Sequence, residues 1–597
     1  MSDLIHQFHI PVMGTGHSLD TPIRIGHFGI NSVISLVDDL LVERVRKYYC
    51  EKHNFSYERI KGRNEAGRPQ RITAYLNTVS NIVDENLAKL KSLPFFDEND
   101  KKKYFDLLPD SSALKKKYLD FINKGKENSE RSSLEDELNK EIKAGSIDVN
   151  IMVKLDKINY GKDKEALSSE FTDAKLALRG YAESCLKSSI IFSAGINQTL
   201  FGYMSNFKDF YRDEFGEIKK KIILKVSDFR SALIQGKFLA KKGLEVHEFR
   251  IESGLNCGGH AFPSNGLLLA SLLKEFKEKR SQLKEQFDPV VQKFYEDKGW
   301  KYTTRENEEV LLTVQGGIGN NGERLRLMNE YGVNATGWAT PFLLVPEATG
   351  IDAPTREKCR LAGEDDLYLS PASPLSIPFN NLRGSGSELK TKELADKGNP
   401  GSGCPKGFLV SNTEFSELPI CLASKEYQTQ KLEKMDSEEM GSYEKSELLT
   451  SVLAKACICD HLGNGLLIEL GVVKEKNAPQ SICPGPNLAW FNKYYTLQEM
   501  VDHIYGRSPS LVPPERPHMF AKEIGMYVDY LEQQLKSRGR SPKDMKFFKE
   551  FKENLFSSID YLRDISAMEK YECENLESII PSIEKQLKRV DTLLLNL

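Results

Sequence analysis

Glycines at the ends of two neighbouring predicted strands have the spacing of a phosphate-binding site. The run LLTVQGGIG reads as a buried strand that ends in glycines, and NATGWAT reads as a second strand ending in the same way. Such glycines let backbone N–H groups approach a phosphate closely, and the start of a following helix adds a favourable dipole. Strand ends of this kind form the phosphate corner of parallel barrels, although two ordinary turns are the alternative. The candidate residues are Gly316, Gly317, Gly319, Gly337, Trp338, Ala339 and Thr340.

A histidine follows another strand end. The run IESGLNCGGHAF takes a predicted strand into Gly258, Gly259 and His260. An imidazole beside a ligand can act as an acid, a base or a hydrogen-bond donor near neutral pH. We therefore interpret His260 as a candidate catalytic residue, with a structural histidine as the alternative.

Cysteines are concentrated further along the chain, in loops rich in glycine and proline such as GSGCPKGF, ACICDHLG and SICPGPN. Tight turns of this kind bring thiolates close enough to ligate an iron–sulfur cluster, or a zinc ion that could also recruit His461. Plain reduced cysteines are the third interpretation. We expect four thiols to converge beside the barrel mouth, with Cys359 and Cys421 left over. The four are Cys404, Cys457, Cys459 and Cys483.

The elements that must position these residues alternate between strand and helix. SSIIFSAG, KKIILKVS, EVHEFRIES and EVLLTVQGG read as strands, and DFRSALIQGKFLAKKG reads as a helix between two of them. Strands separated by a helix of this length indicate βαβ units and a parallel sheet. The fold expected is a (β/α)₈ TIM barrel over residues 1–350.

Three further regions accompany the barrel. Residues 97–164 are rich in lysine and glutamate and predict a charged helical insertion. Residues 351–510 predict a loop-rich, cysteine-containing region that completes the barrel mouth, because they carry many Gly, Pro, Asn and Ser residues. Residues 511–597 return to apolar residues at helical spacing and predict a helical C-terminal cap.

Composition narrows the classes of partner. The chain has 83 basic and 86 acidic side chains and a net charge of -3, which provides no field to gather nucleic acid or anionic lipid. The sequence has neither an apolar run long enough to span a bilayer nor a signal peptide, so we expect a cytoplasmic protein with reduced cysteines. A small-molecule substrate is expected, with a partner protein or a homo-oligomer left open.

The strand end with GGH, followed by GGIG and then GWAT, resembles the FMN-dependent barrels of nitronate monooxygenases and of the enoyl reductases of polyunsaturated fatty-acid synthases. The resemblance covers residues 8–350 apart from the charged insertion. It implies that FMN binds with its phosphate at the glycine corner, and that the opening PVMGTG lies against the flavin ring. Met13, Gly14 and Thr15 are the residues of that opening.

A weaker resemblance, to the FMN domain of glutamate synthases, rests on IILKVSDFRSALIQGKFLAKKG, the GGH pair and GCPKGF. It implies that Lys225 faces the pyrimidine ring of the flavin, where a cation stabilises the anionic reduced form. Glutamate synthases also carry an iron–sulfur cluster, with a ligand in a context like that of Cys404. Asn197, at the end of IIFSAGINQ, is a further candidate for a hydrogen bond to the flavin rim.

The leading hypothesis is therefore an FMN-dependent oxidoreductase that acts on a small organic or acyl substrate, with His260 handling the proton. A phosphate-binding barrel without redox chemistry, such as a lyase or isomerase, would use the same glycine turns. A scaffold subunit of a larger assembly is the third class, because the insertion and the helical cap are both surfaces for docking.

Overall fold

The computed structural model describes residues 4–62, 66–125, 131–161, 163–193, 195–304, 309–439, 441–539 and 541–594. Eight parallel strands close into a barrel in chain order, so that β1 pairs with both β2 and β8. The predicted (β/α)₈ TIM barrel is confirmed. The barrel strands are β1 Phe8–Ile10, β2 Asn31–Ser35, β3 Ile147–Ile151, β4 Ser189–Phe192, β5 Lys221–Val226, β6 Val246–Glu252, β7 Leu311–Gln315 and β8 Ala335–Gly337.

Helices surround the barrel. Those up to the last barrel strand are α1 Thr21–Ile25, α2 Asp39–Lys52, α3 Gly67–Ser92, α4 Asp100–Leu107, α5 Ala113–Lys124, α6 Arg131–Glu141, α7 Asp173–Ala182, α8 Gln198–Met204, α9 Phe229–Ala240, α10 Leu269–Asp297 and α11 Asn321–Tyr331. Those after it are α12 Ala353–Leu361, α13 Gly386–Asp396, α14 Lys425–Ser437, α15 Ser442–Leu453, α16 Ile458–Glu469, α17 Leu497–Tyr505, α18 Met519–Ser537, α19 Pro542–Ser566 and α20 Ile579–Leu594.

Side chains of strand β6 alternate between the outer and the inner face of the barrel. The ring of Phe249 packs outward, 6.5 Å from that of Phe276 on α10. The next residue, Arg250, is buried and pairs with Glu248 two positions before it at 2.8 Å. Because side chains alternate along a strand, Glu252 shares the face of Glu248 and Arg250. The interior of the barrel is therefore polar at this strand, and that polarity continues to the carboxyl end.

The charged insertion contains a barrel strand that the sequence interpretation placed in helix. Helices α4, α5 and α6 lie in the first part of this insertion, but Ile147–Ile151 forms β3 and pairs with β2 and β4. All five residues of this strand are buried, and Asp148 accepts a hydrogen bond from the backbone N–H of Ser189 in β4 at 2.8 Å. The charged residues before it obscured so short a strand. Residues 126–130 and 162 of the predicted insertion lie outside the described residues.

The region predicted to be rich in loops is more helical than expected. Helices α12 to α17 and the antiparallel pair β9 Leu367–Ser370 and β10 Phe379–Leu382 lie within residues 351–510. Four of these six helices start at a side-chain cap, because Asp352, Ser385, Ser424 and Thr496 each accept a hydrogen bond from a first-turn N–H. Some of the small polar residues that predicted loops in this region are therefore helix N-caps.

The C-terminal cap is helical, as predicted, and buried ion pairs join it to the barrel. Arg326 on α11 pairs with Glu574 at 2.5 Å, and Arg516 pairs with Glu323 at 2.7 Å. Among the described helices, none has the length and apolar character needed to cross a membrane.

Candidate active site at the barrel mouth

A cavity of about 220 Å³ lies at the carboxyl ends of the barrel strands. Turns after β1, β6, β7 and β8 and the end of β5 contribute its walls. This is the end of a TIM barrel at which active sites are found. The predicted residues that line it are Met13, Gly14, Thr15, Lys225, Gly258, Gly259, His260, Gly316, Gly317, Gly337, Trp338, Ala339 and Thr340, together with Cys459 and Cys483 of the predicted metal site.

The turn after β1 lines this cavity and contains two buried polar atoms without a hydrogen-bond partner among the described residues. Ser18 fixes the turn, because its hydroxyl accepts from Met13 N–H at 3.0 Å and donates to Val33 O at 2.9 Å. The hydroxyl oxygen of Thr15 and Nε2 of His17 are buried without a hydrogen bond in the described structure. A buried polar atom without a partner is costly, so both atoms favour a bound polar ligand.

A charged pair and an amide lie at the carboxyl ends of β5, β6 and β7. Lys225 Nζ lies 2.9 Å from Glu252 Oε1, which also accepts from Gln315 Nε2 at 3.0 Å. Gln315 Oε1 and, across the cavity, Asn150 Oδ1 have no hydrogen-bond partner among the described residues. This edge can therefore both donate and accept hydrogen bonds, and its charge is balanced.

The turn of Gly258, Gly259 and His260 packs against the segment around Cys483. A Cβ added at Gly258 would lie 2.5 Å from Cys483 O, and the N–H of Gly259 donates to that oxygen at 3.0 Å. On its other side, Asn380 Nδ2 donates to Gly259 O at 3.1 Å. Only glycine fits at position 258, so the pair has a packing reason as well as a place in the cavity wall.

His260 is held by a hydroxyl and by aromatic rings. Its Nε2 lies 2.7 Å from the Ser373 hydroxyl, and its ring centroid lies 5.0 Å from that of Phe379. Burial, together with a smaller contribution from the nearby Lys154 ammonium, lowers the pKa of His260 to about 4. The imidazole is therefore neutral at neutral pH, where it can accept a proton or donate a hydrogen bond from its N–H but is not an imidazolium acid.

The glycine corner after β7 is closely packed. Gly316 and Gly317 have φ values of 112° and 83°, and a Cβ at Gly317 would lie 2.1 Å from Asn256 Nδ2. Arg516 donates to Gly317 O at 2.5 Å, which brings a guanidinium to the corner. Gly319 does not line the cavity, because its N–H donates to Glu323 Oε2 at 2.7 Å.

Asn197 also lies away from the cavity lining. Its Oδ1 accepts from Leu200 N–H at 3.0 Å as the cap of α8, and its Nδ2 donates to Asp156 at 2.8 Å. Both of its polar atoms are therefore engaged within the protein. The predicted contact with a flavin rim is not supported.

Two solved structures are similar to the chain. The enoyl reductase domain of MlnA from the macrolactin biosynthesis cluster of Bacillus amyloliquefaciens is 12% identical, with a TM-score of 0.39, over 94% of this chain and 97% of that one. Nitroalkane oxidase from Streptomyces ansochromogenes is 9% identical, with a TM-score of 0.35, over 85% of this chain and 97% of that one. No protein-family model matches the chain, and no curated protein does. Both structures are of the kinds that the motifs resemble, but at these scores they carry no argument about this chain's reaction.

The cysteines do not form the predicted four-ligand site. Cys404 contacts Cys421 and Cys457 contacts Cys459, whereas Cys483 lies in the cavity wall against the backbone of Gly14 and Gly259. Within the described residues, no group of three or more His, Cys, Asp and Glu side chains is arranged to hold a metal ion. An iron–sulfur cluster is therefore not supported. Cys421, which was expected to be left over, contacts Cys404, whereas Cys483 belongs to neither pair of thiols.

Sequence interpretation missed several cavity residues. Glu252 and Gln315 are the last residues of their strands and come just before a glycine turn, a position at which a polar residue is a recognisable signal in a barrel. Asn150 was missed because β3 itself was missed. Asn487 and Arg516 come from the C-terminal third, and only tertiary packing brings them to the corner.

Proposed function

We propose that this cavity binds FMN and that the protein is a flavin-dependent oxidoreductase, nitronate monooxygenase-like or enoyl reductase-like, acting on a small organic or acyl substrate. Bound flavin supplies the exchange of a hydride or of electrons with the substrate. The observation that carries the proposal is that one cavity joins the β1 turn, the Lys225 edge, the His260 turn and the glycine corner.

The polar atoms without partners support a ligand with many hydrogen-bonding groups. Thr15, His17, Asn150 and Gln315 each contribute one such buried atom, and all four line the cavity. A ring system with several carbonyl and N–H groups would satisfy them, and a wholly apolar ligand would not. The residues present therefore fit a flavin.

Lys225 and Glu252 are suited to the pyrimidine edge of that ring. This edge carries carbonyl acceptors on either side of an N–H donor. Lys225 would donate to a carbonyl, and Gln315, which contacts His9 as well as Glu252, lies at the same edge. The 2.9 Å pair with Glu252 means that Lys225 is not an isolated cation, in contrast to the role that the resemblance implied.

His260 would face the reacting part of the site. Because its pKa is about 4, the imidazole is neutral at physiological pH and can accept a proton from the substrate or orient it through a hydrogen bond. The Ser373 hydroxyl at 2.7 Å fixes the ring. The rings of Phe262 and Phe379 flank it at centroid distances of 6.5 Å and 5.0 Å.

FMN is proposed in preference to FAD because the one G-x-G-x-x-G run of the sequence, from Gly317 to Gly322 between β7 and α11, belongs to the phosphate corner itself, and no second run is left for another nucleotide. Gly316, Gly317, Ala339 and Thr340 line that corner. The Arg516 guanidinium lies behind it and favours an anion there, although Glu323 balances part of its charge.

An FMN titration, followed by the quenching of flavin fluorescence, tests the assignment of the corner. Gly317→Asp is a poor probe, because the left-handed backbone and the clash with Asn256 would strain the fold. Ala339→Asp adds a carboxylate to the cavity wall without that strain. We expect FMN to bind at least about tenfold more weakly, since like charges about 4 Å apart near a protein surface repel by about 4 kcal/mol.

The matched control is Ala567→Asp, which makes the same change at an exposed position at the end of α19. It should bind FMN as the natural protein does. Equal affinity for FMN in Ala339→Asp would place the phosphate elsewhere, and a folded natural protein that fails to bind FMN would refute the proposed function.

A further inference from the structure

Four cysteines beside the barrel mouth are arranged as two thiol pairs. Cys404 and Cys421 interact directly, as do Cys457 and Cys459, and all four belong to one apolar cluster. Within the described residues no metal site accounts for them. The function proposed above does not use them.

The two pairs differ in their access to solvent. Cys457 and Cys459 are each only 4% exposed, and Cys459 lies in the wall of the cavity rather than on the outer surface. Cys404 is partly exposed, whereas Cys421 behind it is 3% exposed. An accessible thiol in contact with a buried one is the arrangement that thiol–disulfide exchange requires.

Backbone hydrogen bonds hold the accessible pair together. The N–H of Ser402 donates to Ala423 O at 2.9 Å, and the N–H of Lys425 donates to Ser402 O at 2.8 Å. These bonds fix the segment before Cys404 beside the segment after Cys421. The contact between the two thiols therefore does not depend on side-chain rotamers alone.

The surroundings of Cys404 favour its thiolate. The Cys421 thiol and the backbone N–H of Gly407 donate to its sulfur, the Lys157 ammonium is nearby, and together they lower the pKa of Cys404 to about 7. Its φ of 47° is unusual for a residue other than glycine, and such strain is concentrated at functional positions. Cys421 is the partner that stays protonated.

We propose that Cys404 and Cys421 form a redox-active dithiol that exchanges with low-molecular-weight disulfides. The Cys404 thiolate attacks one sulfur of the disulfide, which breaks the S–S bond, releases one thiolate and leaves a mixed disulfide on Cys404. Cys421 then loses its proton and attacks the Cys404 sulfur, which releases the second thiolate. The protein loses two electrons and forms the Cys404–Cys421 bond, and the small disulfide becomes two thiols once the thiolates take up protons.

Oxidised glutathione is the probe, and peptide mapping by mass spectrometry is the measurement on the full-length protein. We expect the Cys404–Cys421 linkage to exceed every other pairing and to be reversed by a dithiol reductant. Near neutral pH, iodoacetamide should alkylate Cys404 several-fold faster than the exposed Cys185, because the thiolate is the nucleophile.

Two variants separate the steps of the exchange. Cys421→Ser should accumulate glutathione on Cys404, and Cys404→Ser should show neither adduct nor linkage, while Cys185→Ser should behave as the natural protein. Circular dichroism checks that each variant is folded, and Cys421→Ala replaces Cys421→Ser if the hydroxyl is not tolerated. The proposal is overturned if Cys404 and Cys421 stay reduced while Cys185 gains glutathione, or if the folded Cys421 variant carries no adduct on Cys404. Neither result depends on flavin binding.

Discussion

At the scale of single residues, the contrast between paired and unpaired polar atoms defines the candidate site. Lys225 and Glu252 neutralise each other at 2.9 Å, whereas the oxygens of Asn150 and Gln315 on the same cavity have no partner in the described structure. Balanced charge beside unsatisfied hydrogen-bonding atoms suits a neutral, polar ring better than a strongly charged ligand. In the proposed function, the glycine turn is the place for the phosphate.

His260 is predicted to stay neutral between pH 5 and 8, because burial lowers its pKa to about 4. Its imidazole signal, assigned in an NMR spectrum by its loss in His260→Ala, should not shift over that interval. The variant should keep its affinity for FMN and lose about 10²- to 10⁴-fold in turnover, the usual worth of an acid–base group. A titration centred near pH 6.5 would contradict the buried, neutral assignment.

Lys225→Met is predicted to lower the free energy of unfolding by about 1–3 kcal/mol, because it leaves the Glu252 carboxylate without its cation in a largely buried site. Chemical denaturation measures the loss. The double variant with Glu252→Gln should recover part of that stability, since it removes the orphaned charge. Additive losses would mean that the two side chains are not coupled.

The glycine motifs could be predicted from the sequence because each depends on local spacing, whereas the partners of those glycines could not. Nothing near Gly317 in the sequence indicates that Asn256 fills the space where its Cβ would lie. Asn197 shows the opposite error. Its position after a strand suggested a ligand contact, but both ends of its amide are used in capping α8 and in binding Asp156.

At the scale of elements, the C-terminal helix α18 reaches under the His260 turn. Glu523 is buried and accepts from the Ser253 hydroxyl at 2.5 Å and from Leu269 N–H at 2.8 Å. Ser253 lines the cavity and accepts in turn from Asn256 N–H at 3.2 Å. A helix more than 250 residues away in the chain thus supports the loop after β6.

Burial raises the pKa of Glu523 to about 7. Between its ordinary pKa near 4.5 and about 7 the unfolded chain has lost this proton and the folded chain retains it, so stability falls as pH rises through that window. Glu523→Gln should remove a loss of up to about 3 kcal/mol, measured as unfolding free energy at pH 4.5 and pH 8. Glu553→Gln, an exposed change on α19, is the control, and equal pH dependence in both variants would contradict this role.

Element boundaries were predictable where apolar runs were uninterrupted. The runs that became β4 to β7 were recognised, and β3 was hidden because its five residues follow a long, charged helical stretch. The region of residues 351–510 was taken for loops because its helices are short and begin at Asp, Ser and Thr caps. The composition of this region reflects its helix caps. How the helices pack on the barrel mouth depends on tertiary contacts, which composition does not indicate.

At the scale of the whole molecule, the C-terminal regions complete a barrel that would otherwise have an open mouth. Cys483 and Asn487 line the cavity together with the barrel turns. Arg516 joins Asn487, Glu323 and the glycine corner through hydrogen bonds of 2.5–2.9 Å. The βαβ alternation was sufficient to predict the barrel, but the cavity depends on segments separated by more than 100 residues, which local patterns do not specify.

Denaturation of the folded protein releases whatever flavin the cavity holds. Protein purified without oxygen and saturated with a mixture of FMN and FAD is freed of unbound flavin, denatured, and the released flavin is separated by chromatography. We predict about one FMN per chain and no FAD, because the site has a single phosphate corner. Release of FAD, or of no flavin from protein shown to be folded, would refute the assignment of FMN to the cavity.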